Sequence, residues 1–174
     1  GNCVIQPPEI RHKVLYASDN IEVIEIGVPA EHVTTIDHDM ELPTKNLNPE
    51  REFQGQKFVH NKAIEASWSD FRIPGFSCRD TTIAENTKNV AGVQVIKPNG
   101  NAIKSSKHDC DILFNFVMEG KMTLTASGQS PNELNPGDAF VIPPHLLTEY
   151  SNVSEDLELL EVSLPGKFKT YYET

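Results

Sequence analysis

Histidines and cysteines are the residues of this chain whose chemistry first needs an account. His108 and Cys110 stand two apart, and side chains two apart on a regular strand share a face, so the pair would offer a metal one imidazole and one thiolate. No third donor lies at matching spacing, and a small free cysteine more often simply packs. His145 follows Pro143-Pro144 in a turn whose ordinary reading is a solvated ring, His32, His38 and His60 read as surface residues, and His12 stands alone near the start. Three cysteines, Cys3, Cys78 and Cys110, without CxxC spacing read as reduced thiols of a cytosolic protein, not as a disulfide framework or a structural zinc site. Fifteen basic against 25 acidic residues give a net charge of −10, which repels nucleic acid and anionic membranes alike. No run approaches the roughly 18 apolar residues of a membrane helix, and no basic-then-apolar leader opens the chain, so a cytoplasmic location is expected.

The elements that would position these side chains are strands. Asn89–Lys97, Ile112–Met118, Met122–Thr125, Ala139–Ile142 and Leu157–Val162 are β-branched or aromatic runs, separated by Pro98-Asn99-Gly100-Asn101, Glu119-Gly120 and Pro136-Gly137-Asp138. That pattern predicts an all-β antiparallel sandwich or barrel with hairpin corners, and nothing long reads as an amphipathic helix. The 174 residues, 38% of them hydrophobic, suffice for one full domain and something smaller. From Thr34 to about His60 the chain turns polar and aperiodic, with a Glu50-Arg51-Glu52 cluster, which reads as a linker or as a long excursion packed on a barrel.

An internal repeat divides the chain further. Residues 1–34 laid without a gap on 137–170 match Gly1 with Gly137, Pro7-Pro8 with Pro143-Pro144, Ser18 with Ser154, Glu22 with Glu158, Glu25 with Glu161, Pro29 with Pro165 and Thr34 with Thr170. Ile5 with Val141, Ile21 with Leu157 and Ile26 with Val162 extend the shared apolar period. A fixed offset of this length means duplicated units one domain long. The reading is a remnant of a first domain over 1–34, a linker over 35–60 and a complete domain over 61–174, with the chain starting inside the first unit.

Pro136-Gly137-Asp138-Ala139-Phe140-Val141-Ile142-Pro143-Pro144 followed by Asn152 resembles the second conserved motif of the cupin superfamily, and His108 to Gly120 resembles the first. The resemblance implies an antiparallel jelly-roll β-barrel, the C-terminal part of a two-domain bicupin, with a pocket at one end that holds a metal in catalytic members. The family's usual ligand positions fall here on Ser106, His108, Leu113 and Thr148, so one standard ligand of four remains, whereas His12 keeps the position in the remnant that Thr148 takes in the complete domain. The expectation is a degenerate metal site and no cofactor in this part, with a divalent metal possible in a longer protein. Strand alternation then lines a ligand pocket with Ser106, His108, Leu113, Asn115, Thr148 and Tyr150, suited to a small neutral or weakly polar molecule.

The leading expectation is a non-catalytic, small-molecule-binding or structural cupin domain. The alternative is a metal-dependent oxygenase or related enzyme with its catalytic centre in the first domain. Ile112, Phe114 and Phe116 point away from the pocket and call for a second sheet, the linker or another subunit, and a homodimer is expected. Val4, Ile5, Ile10, Val14, Ile21, Val23, Ile24 and Ile26 of the remnant should likewise be covered, by residues 1–34 adding strands to the intact barrel or to a neighbour's.

Overall fold

A computed structural model of the chain describes residues 1–39, 41–100 and 104–173. In chain order the strands are β1 (Cys3–Ile5), β2 (Glu52–Phe53), β3 (Gln56–Lys57), β4 (Val59–Asn61), β5 (Ser69–Asp70), β6 (Phe76–Asp80), β7 (Gly92–Pro98), β8 (Ser106–His108), β9 (Ile112–Glu119), β10 (Met122–Ala126), β11 (Asn132–Leu134), β12 (Ala139–Ile142), β13 (Thr148–Ser151), β14 (Glu158–Leu164) and β15 (Thr170–Tyr172). Helix is confined, among the described residues, to α1 (Ile83–Asn86) and one 3-10 turn at Ala63–Glu65. A six-stranded sheet ordered β12-β9-β14-β7-β6-β5 faces a five-stranded sheet ordered β11-β10-β13-β8-β15, every pairing antiparallel. The expected all-β jelly roll is thus formed.

Alternation sorts the side chains into an interior and an outer layer. Along β9, Leu113, Asn115 and Val117 are buried inward while Phe114, Phe116 and Met118 point out, and β14 repeats this with Leu159, Glu161 and Ser163 against Leu160 and Val162. The inner core joins Phe76, Ile96, Leu113, Val117 and Leu159 of one sheet to Met122 and Tyr150 of the other. The outer face carries its own cluster of Val95, Leu160 and Val162, packed with Val93, Phe114, Phe116, Met118 and Cys3. Cys3 reaches it because β1 pairs with β4, and Arg79, only 2% exposed, donates from this face to the Gly1 carbonyl and to Asn61 Oδ1.

Corners follow turn chemistry. Gly120 has φ 68°, and a Cβ there would lie 2.7 Å from the Leu157 backbone, so both the conformation and the space require glycine. The strand read from Asn89 begins instead at Gly92, because Lys88 and Asn89 take positive φ after α1. Asn101, at one anticipated corner, lies outside the described residues.

Two features of the N-terminal region stand beside the expectations for it. Within the stretch read as linker, β2 and β3 form a hairpin with Phe53 buried, and β4 begins before its end. Residues 10–34 add no strand to this barrel: Val14 (77% exposed), Val23 (74%) and Ile26 (42%) stay open to solvent. The reason is topological, since β14, the counterpart of residues 22–28, already fills the place between β7 and β9. The local turns of the repeat are nonetheless duplicated: Ile10 N–H donates to Pro7 O as Leu146 does to Pro143 O, and Ile21 to Ser18 O as Leu157 does to Ser154 O.

Candidate functional site

All six residues expected to line a pocket are buried on inner faces: Ser106 and His108 from β8, Thr148 and Tyr150 from β13, Leu113 and Asn115 from β9. They do not contribute alike. Leu113 and Tyr150 belong to the apolar core, Tyr150 packing edge-on to Phe76 at 6.0 Å and Phe140 at 6.4 Å. Burial pushes the Tyr150 phenol well above its ordinary range, so it stays neutral. Thr148 lies opposite Ser106 and donates its hydroxyl to the Ser106 carbonyl at 3.3 Å.

His108 is held as a donor. Cys110 N–H donates to Nδ1 at 3.1 Å, so the neutral ring carries its proton on Nε2, a buried atom whose one protein acceptor, the Ile142 carbonyl, is too poorly placed for a full hydrogen bond. Burial first, and the nearby Arg72 charge second, lower its pKa, with the Ile142 carbonyl acting weakly the other way. Asn115, fully buried, leaves both Nδ2 and Oδ1 without a partner.

The facing of His108 and Cys110 anticipated from their spacing does not occur. β8 ends at His108, and Cys110 turns its thiol to the carbonyls of Ile112 at 3.0 Å and Leu164 at 3.1 Å, where burial raises its pKa and keeps it a thiol. His145, His12, His32, His38 and His60 are exposed. Among the described residues no three His, Cys, Asp or Glu side chains converge. The donor set therefore does not fit a transition metal: His108 presents an N–H, and Ser106, Leu113 and Thr148 supply hydroxyls and a hydrocarbon.

Sequence reasoning missed an ion pair in the barrel. Glu161 of β14 is 3% exposed and accepts from Arg72 Nη2 and, at 3.4 Å, from Nε. Burial, outweighing the Arg72 charge, raises the Glu161 pKa. Arg72 also donates Nη1 to Thr170 Oγ1 at 3.2 Å and lies over the rings of Phe71 (4.8 Å) and Phe168 (4.9 Å), while the Tyr172 hydroxyl donates to its carbonyl. The signal was legible in principle: a glutamate inside the apolar run Leu157–Val162 is rare unless paired.

A family model described as Cupin domain matches residues 92–163, the stretch that runs from β7 through β14. The match spans less than half of the chain. Solved structures agree on the cupin fold. KdgF from Halomonas sp. is 20% identical with a TM-score of 0.51, the match covering 61% of this chain and 94% of that one. The polyketide cyclase RemF from Streptomyces resistomycificus is 18% identical at TM-score 0.53, covering 65% and 83%. A cupin-like protein from Thermotoga maritima is 16% identical at 0.51, covering 65% and 89%. At these identities the likeness concerns the fold alone. A comparison with curated proteins gives no match.

Proposed function

We propose that the cupin domain binds a small organic molecule through the polar groups of its interior and that its metal positions are degenerate. Asn115 carries the reading. A buried donor or acceptor without a partner costs about 1–3 kcal/mol, and Asn115 keeps two such atoms while His108 Nε2 adds a donor that is only weakly met. A ligand that supplies both an acceptor and a donor would offset that cost. Ser106, Leu113, Thr148 and Tyr150 complete the lining.

The test is thermal unfolding with a panel of small amides, amines and polyols. Stabilisation of the wild type by at least one member, absent in Asn115→Leu, is expected. A wild type indifferent to the whole panel would leave the domain a structural support.

We further propose that residues 1–34 close a first cupin repeat, as in a bicupin, and that the protein is a homodimer. The duplicated turns at Pro7–Ile10 and Ser18–Ile21 support the first statement. Val141 (57% exposed) and Ile112 (46%), both outward on the six-stranded sheet, support the second. His12 favours the alternative of a metal-dependent oxygenase or related enzyme in the first repeat, because its counterpart Thr148 points into the barrel. Elemental analysis of a protein that holds both repeats in full decides it: one transition metal per chain, lost with His12→Ala, would place the chemistry there.

A further inference from the structure

The strand register places the orphaned groups around one side chain. Glu161 lies directly opposite Asn115 on one side and Gln94 on the other, so the three neighbour each other on the inner face of the six-stranded sheet. Across the barrel, Thr170 lies opposite His108. Arg72 bonds to both Glu161 and Thr170. One guanidinium thus spans the two sheets, anchored beside Asn115 at one end and beside His108 at the other.

Arg72 and Glu161 differ in how they belong to this place. The carboxylate is built into a central strand and is 3% exposed, whereas the Arg72 side chain is 19% exposed and hangs from the loop between β5 and β6. A shallow surface depression lined by Asp109, Pro165, Lys167, Phe168 and Lys169 lies beside the segment that carries Phe168 and Thr170. If the arm of Arg72 swings away, what stays is a buried carboxylate, the Thr170 hydroxyl, the Asn115 amide oxygen and the rings of Phe71 and Phe168. Carboxylate and hydroxyl oxygens accept N–H donors, and aromatic faces attract a flat cation.

We propose that this cradle is a binding site for a small organic cation carrying a guanidinium or primary ammonium group, and that Arg72 fills it in the closed form. The inference rests on the small-molecule reading above and names the class of ligand. It also departs from the neutral ligand expected from sequence, because the Glu161 carboxylate was not in that count.

Chemical rescue tests it. Arg72→Ala leaves Glu161 buried without its partner and should unfold at lower temperature than the wild type. Methylguanidinium should restore most of the loss in a saturable way, propylammonium part of it, and tetramethylammonium at equal ionic strength none. Arg72→Ala/Glu161→Gln, which lacks the carboxylate, should show no rescue and reports any general effect of the salts. An Arg72→Ala chain that folds only when methylguanidinium is added supports the site equally. One that methylguanidinium does not rescue, folded or not, overturns it and makes the pair a structural tie. Stabilisation by neutral propionamide alone overturns the cation assignment and keeps the ligand reading; a response to neither overturns this site and leaves the ligand reading to the wild-type panel.

Discussion

Replacing Asn115 by leucine should make the ligand-free protein more stable. Asn115 is fully buried, its two amide atoms have no protein partner, and its strand neighbours on the same face are Leu113 and Val117. Leucine keeps the branched outline and the number of side-chain heavy atoms, so no cavity results, but its methyl groups are bulkier than the amide and overpacking offsets part of the gain. Each unpartnered atom costs about 1–3 kcal/mol, of which local relaxation recovers part, so a net gain of about 1–3 kcal/mol is expected. Glu161, opposite on β14, takes its hydrogen bonds from Arg72 and loses nothing. Urea denaturation read by far-UV circular dichroism measures the difference, and thermal unfolding should rise by roughly 4 °C or more. Ligand-dependent stabilisation should vanish in the same variant, the mark of a site kept at a cost in stability. A loss of about 1 kcal/mol or more would refute the reasoning, because the amide would then be a satisfied structural group.

Four other outcomes follow from the structure. Glu161 has a raised pKa, so the folded protein holds its proton more tightly than the unfolded chain: stability should increase as pH falls through the raised value and level off below the ordinary 4.5, and Glu161→Gln, followed by urea midpoints against pH, should lack that gain. His108, with its pKa lowered, should titrate below the ordinary 6.5 in a proton–nitrogen NMR titration and show the Nε2–H tautomer; an Nδ1–H signal would break the assignment. Gly120→Ala combines a φ of 68° with backbone 2.7 Å from the new Cβ and should cost about 2 kcal/mol or more by urea unfolding. For the homodimer, Val141→Glu should turn a dimer into a monomer in light scattering while leaving the unfolding of the monomer within about 0.5 kcal/mol; a wild type that is monomeric at high concentration would end that proposal.

Period and turn chemistry were readable along the chain. Alternating apolar runs fixed which residues of β9 and β14 face inward, and glycine marked Gly120 and Gly137, both of positive φ, as corners. The repeat was legible because its turns are local: Pro7–Ile10 and Pro143–Leu146 close the same hydrogen bond although their surroundings differ. Tertiary structure alone decided which distant groups meet. Arg72 and Glu161 are 89 residues apart, and no local pattern ties an arginine in a loop to a carboxylate in a central strand. Spacing put His108 and Cys110 on one face, but β8 stopped between them and the thiol turned to backbone carbonyls. Strand propensity in residues 10–34 was equally insufficient, since a strand needs a free edge and the central place it matches in this barrel is filled by β14. Local rules set each side chain's direction, and the closure of two sheets set what it points at.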